Sequence, residues 1–186
     1  KVFAILFFLL AFNFVFAENE SEIFWTLLNQ DKYEEVEEFL AKWEENSPTD
    51  PELFVSYFNY SLSKSMHEQM HVESFLPPNY DGQYIEGKNE NGEYVYIYSI
   101  IEYDDELCTK AIEYIDKGIS YNPTRFDMHL GKAKLYSMRG EYTNQLRVLQ
   151  DVVELNKEYE SKWLWTDNKS IKDFPGLDFE NTIHEY

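Results

Sequence analysis

Two stretches decide the fold: VEEFLAKWEENSP at residues 36–48 and AIEYIDKGISYNP at residues 111–123. In each stretch, three apolar or small residues and a proline follow one another in steps of 4, 3 and 5 residues. On a helix these steps place three side chains on one face and a stop signal about one turn later. The positions are Val36, Leu40, Trp43 and Pro48, and Ala111, Ile115, Gly118 and Pro123. The repetition predicts stacked helical hairpins.

Helix start and stop signals divide the rest of the chain. A polar break at residues 29–31 separates two helices within residues 23–46. Thr49 or Asp50 is expected to cap a helix that runs from Pro51 to about Met66, with Glu52 closing a capping box on Thr49. Further helices are predicted from residues 104–105 to about 121, from 124–125 to 139, and from 141 to about 159.

Residues 83–103 have the composition of strands. Asn91 and Gly92 form a strong hairpin signal between two segments rich in Tyr, Ile and Val. The second segment alternates, so one face carries Tyr94, Tyr96 and Tyr98 and the other is mostly aliphatic. In one interpretation the aliphatic side packs on neighbouring helices and the tyrosines form cross-strand pairs. In the other, the tyrosines are an exposed platform for a glycan or peptide.

These residues resemble the tetratricopeptide repeat, a helix-turn-helix unit. The resemblance covers about residues 22–158, without the hairpin, and its units are 22–50, 51–123 and 124–158. Within the middle unit, residues 66–104 are an insertion between its two helices. The best match is the last unit, which places Ala133, Tyr136, Gly140, Tyr142 and Leu149 at family positions. The chain is similar to uncharacterised exported bacterial proteins with this repeat.

The resemblance implies a mainly α fold, a short solenoid of helical hairpins with a β-hairpin insertion. It also implies a non-catalytic module that binds a protein or peptide in a concave groove. No cofactor is implied. Carried onto this chain, the groove positions are Val55, Asn59, Leu62, Asp127, Leu130, Lys134 and Met138.

The first 17 residues form a separate segment. An apolar run follows Lys1, and Ala17 precedes the first acidic residue, Glu18. The run is shorter than the roughly 20 residues of a membrane helix, and small residues stand where signal peptidase cleaves. We therefore expect residues 1–17 to be a signal peptide and 18–186 to be a periplasmic or secreted domain, without a stable membrane anchor after cleavage.

Charge and cysteine content narrow the function further. The formal net charge of −19 opposes binding to nucleic acid and to an anionic membrane surface. Cys108 is the only cysteine, so the chain cannot form an internal disulfide. Three acidic neighbours oppose a thiolate there, and we interpret Cys108 as a buried structural residue. Stability is expected to come from apolar packing.

One motif suggests an enzyme instead. Residues 67–71 read HEQMH, and on a helix His67 and His71 would face the same way and could bind one zinc ion. Glu68 would then activate a metal-bound water for peptide hydrolysis. Gln69 and Glu73 stand where such peptidases prefer apolar residues, and no third ligand is evident. A zinc metallopeptidase is therefore an alternative, beside adventitious or structural metal binding and histidines that simply face solvent.

The C-terminal segment, residues 159–186, leaves two possibilities open. It contains Trp163 and Trp165 and a turn at residues 174–176. Three repeat units are near the minimum for a stable stack, so this segment could cap the last unit. It could equally form the contact of a homo-oligomer, in which case the protein would be a structural subunit.

Overall fold

The structure is a computed structural model that describes residues 20–159 and 162–186. The expected signal peptide lies outside the described residues. The described chain is mainly helical with one small antiparallel sheet, as expected. None of its helices is long and apolar enough to cross a membrane. The main elements are α1 (Glu20–Leu28), α2 (Tyr33–Asn46), α3 (Pro51–Ser65), β1 (Met66–Glu73), β2 (Tyr84–Lys88), β3 (Tyr94–Tyr103), α4 (Asp105–Tyr121), α5 (Phe126–Met138), α6 (Tyr142–Tyr159) and α7 (Phe179–His184).

The start of α3 shows how local signals set the helix ends. Asp50 accepts a hydrogen bond from the backbone N–H of Glu52 at 2.9 Å, and its other carboxylate oxygen accepts one from Trp43 Nε1 at 3.0 Å. The expected capping box between Thr49 and Glu52 is wrong, because Asp50 caps the helix and Glu52 pairs with Arg125 instead. The amide hydrogens left free by the first turn are thus partly satisfied by one carboxylate.

The repeated spacing marks a packing face, as predicted. All six helical members of the two sets are buried: Val36, Leu40, Trp43, Ala111, Ile115 and Gly118. Gly118 is required by close helix packing, because a Cβ atom there would lie 2.7 Å from Cβ of Phe54. The two prolines follow the ends of α2 and α4.

Helices that are neighbours in sequence pack together in space. The pairs are α1 with α2, α3 with α4, and α5 with α6, and α2 also packs on α3 and α4 on α5. The core consists of three apolar clusters in the same order. The first cluster lies between α1, α2 and α3, and the second lies between α3, α4 and α5. The third lies between α5, α6 and the C-terminal segment.

The insertion between α3 and α4 is a three-stranded sheet and not the two-stranded hairpin that we predicted. The strand order is β1-β3-β2, and both pairings are antiparallel. β1 pairs along its whole length with β3, from Met66 opposite Tyr103 to Glu73 opposite Tyr96. β2 pairs with the first half of β3, from Lys88 opposite Tyr94 to Tyr84 opposite Tyr98. The central strand is therefore β3, and β1 and β2 are the edges.

Residues 162–186 fold back onto α5 and α6. Trp163 is 1% exposed and packs against the tilted ring of Phe126 with centroids 5.4 Å apart. Its Nε1 donates to Oδ1 of Asn156 at 2.8 Å. At the chain end, Gln145 Nε2 donates to the backbone oxygen of Tyr186 at 2.6 Å. The segment covers the third cluster as a cap would. An oligomer contact through Trp163 would require the segment to detach.

A buried ion cluster joins the starts of α3 and α5 to this segment. Arg125 is 0% exposed and pairs with Glu52 at 2.8 Å and with Asp127 at 2.6 Å. The backbone N–H of Asp167 donates to Glu52 at 2.8 Å, so the C-terminal segment completes the cluster. Burial alone would lower the pKa of Arg125, but the hydrogen bonds and charges of Asp127 and Glu52 outweigh it and raise that pKa.

Candidate functional site

The expected groove residues on α3 are partly used in the helical core. Val55 and Leu62 are half-buried against the cluster that contains Phe58. Asn59 donates from Nδ2 to the backbone oxygen of Val55 on its own helix at 2.8 Å. These side chains therefore contribute to structure within the pair of α3 and α4 as well as being available to a partner.

The expected groove residues on α5 divide into buried and open positions. Leu130 is 1% exposed and packs against Trp163 in the third cluster, so it cannot contact a partner there. Its assignment to the groove is wrong, because the C-terminal segment covers this part of α5. Asp127 is engaged by Arg125. Lys134 is exposed and Met138 is half-buried.

A concave region that the sequence did not predict lies between α2, α3 and α4. It has a volume of about 280 Å³, and on its floor the rings of Tyr57 and Tyr114 are stacked 4.4 Å apart. Glu37 accepts hydrogen bonds from the hydroxyl of Tyr60 and from Lys64, and these bonds lower the pKa of Glu37. Because these charged lining groups satisfy one another, the region joins helices and offers little to a ligand.

The tyrosine face of the sheet is largely occupied by its own neighbours. Tyr98 is buried between His71 and Tyr80, with ring centroids at 5.4 and 5.0 Å. Tyr96 meets Tyr84 edge to face. These contacts support the cross-strand interpretation of the tyrosines.

Tyr94, the remaining member of the expected tyrosine platform, is exposed. The ammonium of Lys88 lies over its ring at 4.7 Å from the centroid. A cation of the chain itself therefore already uses this ring.

The opposite face of the sheet is aliphatic and open. Residues directly opposite in an antiparallel ladder share a face, and the register aligns Val72, Ile97 and Ile85 in one row. Met70 lies in the adjoining row of the same face, and Ile101 lies in the row after that. We refer to these five side chains as the aliphatic face.

Exposure of the aliphatic face is high for such side chains. The exposed fractions are 77% for Met70, 67% for Ile85, 60% for Val72 and 44% for Ile101. Together with Glu68 and Ser99, the side chains of Met70, Ile85 and Ile97 border a concavity of about 280 Å³.

The sheet meets the helices at its base. There the backbone N–H of Asp104 donates to the oxygen of Ser65 at 2.9 Å, and Tyr103 packs against the second cluster. Val95 and Ile97 are half-buried within the sheet and are not part of the helical clusters. The expectation that this side of the hairpin packs on neighbouring helices is therefore wrong. Sequence reasoning predicted an aliphatic side from the alternation in β3, but it missed the exposure of that side and the contribution of Met70 and Val72 from β1.

The two histidines of the HEQMH motif lie on β1 and not at a helix end. Residues four apart on a strand are separated by about 13 Å, roughly twice their separation on a helix. His71 stacks on Tyr98, whereas His67 is exposed. The strand thus removes the helical geometry on which the zinc-peptidase alternative depends. Within residues 20–159 and 162–186 no three His, Cys, Asp or Glu side chains are grouped so that they could hold a metal ion.

Cys108 is fully buried in the second cluster, in keeping with its interpretation as a structural residue. Its Sγ atom donates to Oγ of Ser65 at 3.4 Å. The side chain thus fixes the beginning of α4 to the end of α3, close to the base of the sheet.

Comparison with known proteins adds no family and no relative. The chain matches no protein-family model, no curated protein and no solved structure. The aliphatic face groups several exposed apolar side chains on one side of the sheet.

Proposed function

We propose that this protein is an exported, non-catalytic module that binds a protein or peptide partner, and that the aliphatic face is its main contact surface. Its helical pairs would stack as in a tetratricopeptide solenoid, and the sheet would project from the middle pair. The observation that carries the proposal is the exposure of Met70, Val72 and Ile85 on one side of a sheet. Contiguous exposed apolar side chains on soluble proteins commonly mark interaction sites.

The energetics favour this surface over the expected helical groove. Covering one Val or Ile side chain fully contributes about 1.5–3 kcal/mol, and the aliphatic face offers several such side chains close together. The groove offers Lys134, which is exposed, and half-buried neighbours that already pack on the core. A long charged side chain in water contributes little to affinity without a buried partner. A partner thus gains more free energy from the sheet.

Paired variants test the proposal. Val72→Thr/Ile85→Thr keeps β-branched side chains and removes apolar surface, so the strands should persist while binding is lost. Leu146→Thr is the matched control, because Leu146 is also exposed but lies on α6. Immobilised wild-type protein should retain a specific protein from the native envelope or medium, the control should retain it equally, and the double variant should not. Equal retention by the double variant would overturn the proposed surface.

A further inference from the structure

The residues around the aliphatic face are strongly acidic. The segment 66–103 contains seven carboxylates and one lysine, Lys88. The carboxylates are Glu68, Glu73, Asp81, Glu86, Glu90, Glu93 and Glu102. Because Lys88 lies over the ring of Tyr94, its charge is directed to the tyrosine side of the sheet. The sheet segment is thus strongly acidic, and Lys88 balances its negative charge only slightly.

The register places these charges on both faces. Glu68 lies opposite Ile101, so its side chain stands within the aliphatic face. Glu73 and Glu86 flank Tyr96 from its two sides, and they project from the tyrosine face. Glu102 lies on that face as well, opposite His67. Each face near the β1 edge therefore carries at least one carboxylate.

The β1 edge is open to another strand. In the order β1-β3-β2, β1 is an outer strand with eight residues, and within the described part of the chain it pairs only with β3. An extended segment added to such an edge would satisfy the outward backbone groups. Its side chains would alternate between the faces. One set would extend the aliphatic face beside Met70 and Val72, and the other would stand beside Glu73.

We infer that the partner contributes an extended segment in which basic residues alternate with aliphatic ones, and that it adds to the β1 edge. This inference rests on the proposed function and specifies the chemistry of its partner. The aliphatic set covers Met70 and Val72, and the basic set stands beside Glu73, the carboxylate that β1 itself presents on the tyrosine face. A second copy of this chain is disfavoured as the occupant, because its own segment 66–103 carries the same excess of carboxylates.

Labelled peptides test the inference on the full chain. The probe has eight residues, the length of β1, and alternates lysine with valine. Two matched peptides replace lysine with serine or with glutamate. Fluorescence anisotropy should show binding of the lysine peptide, weaker binding of the serine peptide and least of the glutamate peptide. Added salt should weaken only the first substantially, since it screens exposed charge pairs.

Charge variants of the chain give the second arm. Glu73→Gln should weaken the lysine peptide about 1.5- to 5-fold, the range expected for one exposed charge pair. Glu34→Gln is the control, because it changes the net charge equally on the exposed side of α2. The control should bind like the wild type. Equal weakening in both would indicate a general charge effect and would overturn the assignment to the β1 edge.

The outcomes separate the two proposals. If the serine peptide binds as tightly as the lysine peptide and Val72→Thr/Ile85→Thr abolishes both, the cationic partner is wrong and the surface stands. If the double variant leaves lysine-peptide binding unchanged, the aliphatic face itself is wrong. If the lysine peptide does not bind at all, the inference about the partner is wrong. The aliphatic face is then still tested separately by whether the immobilised protein and its Val72→Thr/Ile85→Thr variant retain a partner.

Discussion

Replacing the buried Arg125 should destabilise the protein more than any change to a surface charge. The guanidinium is 0% exposed, and the side chains of its partners Glu52 and Asp127 are 13% and 15% exposed. In Arg125→Met the two carboxylates would remain buried together without a cation. Breaking a buried pair in this way typically costs about 3–5 kcal/mol. Urea unfolding followed by tryptophan fluorescence measures this, because Trp163 lies in the adjoining cluster.

Two further variants isolate the cause. Lys110→Met removes an exposed pair with Glu106 and should change the free energy of unfolding very little. The triple variant Glu52→Gln/Arg125→Met/Asp127→Asn should recover much of the loss, since it removes the uncompensated charges together with the cation. If Arg125→Met costs no more than Lys110→Met, or if the triple variant is as unstable as Arg125→Met, the loss does not come from buried charge and our reasoning is refuted.

Two other predictions concern the core. Gly118→Ala should lower the free energy of unfolding by about 1–3 kcal/mol, because the added Cβ meets Phe54. Gly131→Ala is the control and should be neutral or stabilising, because the nearest atom to its Cβ is 3.5 Å away. Urea unfolding measures both, and equal effects would contradict the close packing at Gly118. Burial lowers the pKa of His129 below its ordinary value of 6.5. Unfolded His129 gains its proton near that value and folded His129 only at lower pH, so the free energy of unfolding should fall as pH drops below 6.5. His129→Gln should lose this part of the pH dependence, and an unchanged profile would count against a neutral buried histidine.

Most of the helical structure could be predicted because its signals are local. Pro48 and Pro123 stop helices, Gly140 separates α5 from α6, and Asp104 caps α4 by accepting from the backbone N–H of Leu107 at 2.8 Å. The repeated apolar spacing identified the packed faces for the same reason. Each feature depends on side chains within a few residues of one another.

The strand β1 could not be predicted in this way. Residues 66–73 contain one β-branched residue, Val72, and their HEQMH pattern indicates a helix. The segment is extended because β3, about 30 residues later, pairs with it along its whole length. Pairing between distant segments overrides local preference, so the motif suggested the wrong element and the wrong chemistry.

Whether the aliphatic face is exposed depends on the position of the whole sheet relative to the helices, which local sequence does not determine. Alternation in Val95, Ile97 and Ile101 correctly indicates an aliphatic side, but not whether another element covers it. Coverage depends on how the sheet leaves the helices, and here it joins them at Ser65 and Asp104 and projects from that base. The expected groove failed at Leu130 for a related reason, since the returning C-terminal segment buries it.

Site-specific photo-crosslinking tests the central claim most directly. A photoreactive residue is placed at Ile85 or Ile101 on the aliphatic face, and in a separate protein at Lys134 in the expected helical groove. Each is irradiated with protein from the native envelope or medium. We predict a crosslinked species from positions 85 and 101 that excess wild-type protein competes away, and none from position 134. A competed crosslink from position 134 alone would contradict the account and place the contact surface in the helical groove.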